Sequence, residues 1–222
     1  MKNLSVIIPA HNEQKCIKKV IRIVKQNKSV DEIIVVDNNS SDKTALMAEK
    51  EGAKVVFCKK QGKGYAMEKG LQKAKNEIVV FIDADINNYS KDLIEKLAEP
   101  IVNSKADFVK SLFERTGGRV TELVAKPLLD ILFPEIHKFS QPLSGMIAGK
   151  KSLLSKIEFE KDYGVDIGIL LDMIQMNANI EEVHIGKIRN HSQQWKNLEK
   201  MSREVMNAII KRYRNKKKLT IK

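Results

Sequence analysis

The chain has 222 residues, 42% of them hydrophobic and 31% charged, which suffices for one buried α/β core and excludes wholesale disorder. Its formal net charge of +12 calls for an anionic partner, whether nucleic acid, an acidic membrane surface or a polyanionic small substrate. Much of that excess sits in the tail Lys211-Arg212-Tyr213-Arg214-Asn215-Lys216-Lys217-Lys218 and on helix faces, so charge alone selects none of the three. The two cysteines, Cys16 and Cys58, lie in apolar-patterned segments and make no disulfide framework. No run approaches the roughly 18 apolar residues of a spanning helix. The amino terminus enters a strand without a leader pattern. The expectation is a cytoplasmic protein with no transmembrane segment.

The first half alternates strands and helices. Leu4–Ile8 reads as a buried strand, and Ile17, Val20, Ile21 and Val24 give residues 13–26 a helical period. Ile33–Val36 is a second strand, ending in Asp37-Asn38-Asn39-Ser40-Ser41-Asp42, whose polar residues introduce a helix over 43–51. Strands at 54–58 and 78–82 alternate with helices at 64–75 and 91–102, and 106–113 follows. Continuous apolar strands in repeated β-α-β units predict a mostly parallel sheet covered on both faces. Ligands of such sheets bind beyond the carboxyl ends of the strands. Past Gly117-Gly118 helical periods dominate at 120–132, 168–176 and 194–214, with a late strand at 180–188. The change is gradual, which predicts one domain over 1–222, its halves meeting near residue 105.

Three strand-end motifs carry chemistry. Phe81-Ile82-Asp83-Ala84-Asp85 places two carboxylates at the open edge of the sheet, on the same side because the strand period is two. Their hard oxygens suit Mg²⁺ or Mn²⁺, although Asp-x-Asp alone equally suits a capping turn. Pro9-Ala10-His11-Asn12-Glu13 offers backbone and side-chain groups to a base or ribose, or is an ordinary strand-to-helix turn. Gln61-Gly62-Lys63-Gly64 sets a lysine between glycines before a helix, where Lys63 and nearby amides could meet a phosphate. It lacks the spacing of a Walker loop, which disfavours phosphoryl transfer from ATP.

In this order the segments resemble the glycosyltransferases of the type A fold. The second half narrows the resemblance to the glucosyl-3-phosphoglycerate synthases. It rests on Gly117-Gly118-Arg119-Val120-Thr121, on Gln141-Pro142-Leu143-Ser144-Gly145, on Tyr163-Gly164-Val165-Asp166, and on Arg189-Asn190-His191 with Met201-Ser202-Arg203. The resemblance implies a type A fold with a helical C-terminal extension, a nucleotide-sugar donor, 3-phosphoglycerate as acceptor, a divalent metal and a homodimer. It assigns the donor to Pro9, Ala10, His11, Glu13, Ser40, Lys63, Asp83, Ala84, Tyr163 and Asp166. It assigns the acceptor to Gly118, Arg119, Thr121, Ser144 and Gly145, and the metal to Asp85 and His191. Lys63 and Asp166 would be the catalytic pair, Asp166 standing where the family has Glu. Gln193-Gln194-Trp195 lacks the arginine of the Gln-x-x-Arg-Trp segment of inverting relatives, which implies retention of configuration.

Two other readings stand beside this one. A polyprenyl-phosphate sugar transferase at the membrane surface would share the first half and lay the basic tail on anionic lipid. A basic nucleic-acid-binding module would want an aromatic-bearing face, and aromatics are only 5% of the chain.

Overall fold

The computed structural model describes residues 3–86, 88–114, 118–136, 138–188 and 195–220. Among these residues seven strands form one sheet: β1 Leu4–Ala10, β2 Val30–Asp37, β3 Lys54–Phe57, β4 Ile78–Phe81, β5 Phe108–Glu114, β6 Ile147–Lys150 and β7 Ile180–Lys187. Their order is β3-β2-β1-β4-β6-β5-β7. The α-helices among the described residues are α1 Ile17–Val24, α2 Thr44–Lys50, α3 Lys63–Lys73, α4 Leu93–Val102, α5 Lys126–Leu132, α6 Lys151–Leu154, α7 Val165–Gln175 and α8 Trp195–Thr220. A π-helical turn, Thr121–Ala125, runs directly into α5.

Alternation along the strands explains the two-sided core. Leu4, Val6, Ile8, Ile33, Val35, Ile78 and Val80 feed one apolar cluster, shared with α1 and α4. Ile7, Ile34, Val36, Val79 and Phe81 feed the other, shared with α3, α7 and α8. Burying both faces of each central strand is what makes these strands continuously apolar.

The parallel register sets the strand ends level. Ala10 pairs with Asp37 across β1 and β2, and Asp37 with Phe57 across β2 and β3. Ile7 pairs with Phe81 of β4, so the chain leaves β1, β2 and β4 along one edge.

Strand β6 departs from the sequence reading, which placed no strand there. It is antiparallel to both β4 and β5, with Ile147 opposite Phe81 on one side and Lys110 on the other. Only four residues long and interrupted by Gly149, it carries no alternating signal. Its direction has a functional consequence: the segment just before Ile147 enters the sheet where β4 leaves it. Helix α1 also begins later than its apolar period implied. The backbone N–H groups of Cys16 and Ile17 both donate to Glu13 O, closing a turn before the helix proper. Among the described residues, no helix is long and apolar enough to cross a membrane.

Candidate active site

A cavity of about 860 Å³ opens at the carboxyl edge of β1, β2 and β4. Of the residues picked from the sequence, Pro9, Ala10, His11, Glu13, Lys63, Asp83, Ala84, Asp85, Gly118, Arg119, Thr121, Ser144, Gly145, Tyr163 and Asp166 all line it. Ser40 does not. Its hydroxyl accepts the Asn12 N–H at 3.0 Å and so supports the β1 turn from behind. His191 lies outside the described residues.

At the centre, Lys63 Nζ lies 2.9 Å from Asp166 Oδ2 and 3.0 Å from Asp83 Oδ1. Burial alone would pull this ammonium down, but the two carboxylates outweigh it and hold Lys63 above the ordinary lysine range. Burial raises the Asp166 carboxyl, and Lys63 opposes that rise. Asp166 Oδ1 is buried and has no hydrogen-bond partner among the described residues. An unsatisfied buried oxygen is costly, and a sugar hydroxyl is the kind of donor that would satisfy it.

Gly145 closes over this group. A Cβ built there would lie 2.1 Å from Lys63 Nζ, 2.9 Å from Asp83 Oδ1 and 3.2 Å from Asp166 Oδ1. Any side chain at 145 would therefore displace the lysine. This contact exists because β6 delivers Ser144–Gly145 to the end of β4.

The glycines flanking Lys63 serve packing, not phosphate binding as the sequence implied. A Cβ on Gly62 or Gly64 would lie 2.4 Å from Lys161 O or 1.6 Å from Glu160 O. The amides are already engaged: Gly62 donates to Asn38 Oδ1, Lys63 to Asp162 Oδ1, and Gly64 and Tyr65 to Lys161 O. Lys63 thus reaches a ligand through its side chain alone. Asn38, a polar residue of the turn after β2 with no signal of its own in the sequence, is buried and also donates to Cys58 O and Lys60 O. It joins the ends of β2 and β3 to the start of α3.

His11 sits against the same turn. Its Nδ1 lies 2.9 Å from Asn38 O, while Nε2 faces the amide groups of Gln61 and Asn12. Nδ1–H donating to the carbonyl and Nε2 accepting satisfies all three contacts in one tautomer.

The acidic end of the cavity has the donor chemistry of a divalent-cation site. The Asp83–Asp85 pair lies in the bend after β4, beyond Phe81, so the strand period does not aim these carboxylates; both nevertheless line the cavity. Glu13 lines it too, and burial together with Asp85, Asp42 and Asp83 pushes its carboxyl up to about 7. Such crowding of oxygen donors suits a hard cation. Among the described residues no three His, Cys, Asp or Glu side chains converge as a complete metal site. The hard carboxylate oxygens of Asp83 and Asp85 fit a divalent ion such as Mg²⁺ or Mn²⁺.

The opposite wall begins at Gly118, whose φ of +92° lies in the left-handed region that favours glycine. Gly118 O accepts the Glu122 N–H, starting the helical run that carries Arg119 and the buried Thr121. The Arg119 guanidinium lies over the Trp195 ring at 5.2 Å, tying this wall to α8. Tyr163 is held from α8 as well: its N–H donates to Glu204 Oε2, and Lys200 Nζ lies 5.6 Å from its ring.

The sequence pattern of "Glycosyl transferase family 2" matches residues 5–158. The glucosyl-3-phosphoglycerate synthase of Mycolicibacterium smegmatis is 33% identical, over 95% of this chain and 78% of its own. That of Petrotoga mobilis is 32% identical, over 98% of this chain and 75% of its own. Among solved structures, the Mycobacterium tuberculosis glucosyl-3-phosphoglycerate synthase in complex with Mn²⁺, UDP-glucose and phosphoglyceric acid matches with a TM-score of 0.90. It is 36% identical and covers 96% of this chain and 80% of its own. On this identity and coverage, the chain belongs to the glucosyl-3-phosphoglycerate synthases within glycosyltransferase family 2.

Proposed function

We propose that the chain transfers glucose from UDP-glucose to the 2-hydroxyl of 3-phosphoglycerate with retention of configuration. One observation carries this reading. Lys63, Asp83, Asp85, Arg119 and Asp166 line a single cavity, on a fold matching the M. tuberculosis synthase crystallised with Mn²⁺, UDP-glucose and phosphoglyceric acid.

In this reading Pro9–Glu13 and Asn38 receive the nucleoside. Asp85, with His191 beyond the described residues, would hold Mg²⁺ or Mn²⁺. When bound, the ion neutralises charge on the diphosphate oxygens. Lys63, kept positively charged by Asp83 and Asp166, donates to the diphosphate as negative charge builds on it. The free oxygen of Asp166 accepts a hydroxyl of the glucose and orients it. Arg119, with Gly118 and Thr121, receives the phosphate and carboxylate of the acceptor, for which a guanidinium fork is suited. The bond from the anomeric carbon to UDP breaks, and the acceptor hydroxyl bonds to that carbon on the same face. Its proton leaves with the diphosphate, and no side chain serves as nucleophile.

The enzyme in this reading works in the cytoplasm as one domain and as a homodimer, without nucleic acid. The exposed apolar side chains Leu123, Ile131 and Trp195 near the C-terminal helix support a pairing surface there. The functional test is an incubation with UDP-glucose, 3-phosphoglycerate and Mn²⁺ or Mg²⁺, analysed by mass and by the anomeric proton coupling. An α-glucosyl phosphoglycerate is expected. Absence of a glucosylated acid, or a β-linked product, would refute the reading or its stereochemistry respectively.

A further inference from the structure

Beneath the cavity, β5 carries a lysine that the scheme above does not use. Lys110 is fully buried. Its Nζ donates to Pro142 O at 2.9 Å, Ser144 O at 2.8 Å and Asp166 O at 3.5 Å. These three carbonyls belong to two separate segments of the cavity wall, the stretch leading into β6 and the first turn of α7. The ammonium is thus the joint between them. Its neighbour Ser111 reinforces the same stretch, with Oγ 2.5 Å from Ser144 Oγ and N–H donating to Met146 O.

A joint of this kind is expensive as a purely structural device. Withdrawing an ammonium from water costs several kcal/mol, which hydrogen bonds of good geometry offset only in part, and an apolar side chain of similar length would avoid that cost but leave the three carbonyls without this donor. What the charge adds is geometry, because three N–H donors radiating from one atom fix three carbonyls relative to one another. Two of those carbonyls belong to Ser144, next to Gly145, and to Asp166. Gly145 lies against Lys63 Nζ, and Asp166 is paired with it.

We propose that Lys110 is a positioning residue, whose ammonium locks the Pro142–Gly145 stretch to the start of α7 and so holds Gly145 and Asp166 in place around Lys63. The proposal rests on the glucosyl-transfer reading only for the site that these residues serve. The charged groups facing Lys110 are Asp166 of α7, Lys63 of α3, Glu182 of β7 and Asp83 beyond β4. Burial lowers its pKa to about 8. Above that pH the amine has two N–H donors for three carbonyls, and the joint loses a bond.

Two measurements test this, one without any ligand. Hydrogen exchange of Lys110→Met should be at least tenfold faster at the amides of Ser144, Met146 and the first turn of α7, with β1 and β2 amides unchanged. In turnover assays the same variant should lose at least tenfold in kcat while binding UDP within about threefold of wild type. The wild-type rate should fall as pH rises through about 8, and the variant should lack that limb. Unchanged exchange at Ser144 and Met146, or kcat within twofold of wild type, would overturn the proposal. So would an alkaline limb retained in Lys110→Met. Should the variant not fold, a wild-type rate flat from pH 7 to 9.5 would overturn it equally. Wild-type protein that glucosylates no 3-phosphoglycerate defeats the functional reading instead, and the exchange contrast still decides the role of Lys110.

Discussion

On one side of the cavity, Pro9–Glu13, Asn38 and Asp83–Asp85 continue directly from parallel strands whose ends the register sets level. On the other, Gly118–Thr121 leads into a π-turn, Ser144–Gly145 lies on an irregular stretch and Asp166 at a helix start. The first wall is placed by hydrophobic burial, since Ile7, Val36, Val80 and Phe81 are between 0% and 1% exposed. The second is anchored by Val120, Ile147 and Val165 in the core and, at Ser144–Gly145 and Asp166, additionally by buried polar contacts: Lys110 to three carbonyls, Ser111 to Ser144, and Lys63 to Asp166. Hydrophobic placement tolerates changes at the strand ends, because they lie beyond the core. Polar placement is directional, and loss of one partner leaves another buried and unsatisfied. Substitutions on the two walls should therefore fail in different ways.

The largest effect is expected on the strand-end wall. Asp85→Ala should reduce transfer to background in Mn²⁺ or Mg²⁺ while leaving the circular-dichroism spectrum and melting temperature near wild type. The carboxylate lies past the end of β4 and outside the apolar clusters. Excess EDTA should have the same effect on wild type. Full activity in the variant would remove the metal role of Asp85, and a collapsed melting temperature would contradict placement by the core.

Next comes Gly145→Ala. The nearest atom to the added methyl is the flexible end of Lys63, so the lysine yields and the backbone need not. Overpacking of this kind costs about 1–3 kcal/mol. Taken from transition-state stabilisation, that is roughly a fivefold to hundredfold loss of kcat at 1.36 kcal/mol per decade. Stability should change far less than activity. A variant of wild-type rate would show that Lys63 works equally well away from Asp83 and Asp166.

The smallest effect is expected at Ser40, which supports the β1 turn through one exposed hydrogen bond to Asn12 N–H. Such a bond is worth about 0.5–1.5 kcal/mol at most. Ser40→Ala should raise the KM for UDP-glucose by less than about tenfold, with kcat unchanged. A larger rise would restore Ser40 as a direct donor contact.

The same contrast explains what could be read from the sequence. Leu4–Ile8, Ile33–Val36 and Ile78–Ile82 announce themselves as apolar runs, and the motifs after the first and third line the cavity as expected, whereas the turn after the second enters it through Asn38 and not through Ser40. Asp83 and Asp85 arrived there for a different reason than the strand period, since β4 stops at Phe81. The second wall depended on the family resemblance, because β6 has too few residues and too little alternation to reveal its antiparallel course. Without β6 nothing in the pattern brings Gly145 to Lys63. Lys110 was hidden for a related reason. A lysine in Phe108-Val109-Lys110-Ser111-Leu112 reads as a solvated strand position, and only the tertiary fold surrounds it with carbonyls. Glycines 62 and 64 signalled close approach correctly, but the partner is the backbone at 160–161, about a hundred residues away in sequence.

Calorimetric titration of wild type, Lys63→Ala and Arg119→Ala, each with UDP-glucose and with 3-phosphoglycerate, tests the division between donor and acceptor walls most directly. A hydrogen bond to a charged group is worth about 1.5–3 kcal/mol, or roughly tenfold to a hundredfold in affinity. Arg119→Ala should lose that much for 3-phosphoglycerate with donor affinity nearly unchanged, and Lys63→Ala should lose it for UDP-glucose with acceptor affinity nearly unchanged. Arg119→Ala binding 3-phosphoglycerate like wild type, or either variant weakening both ligands equally, would contradict the account.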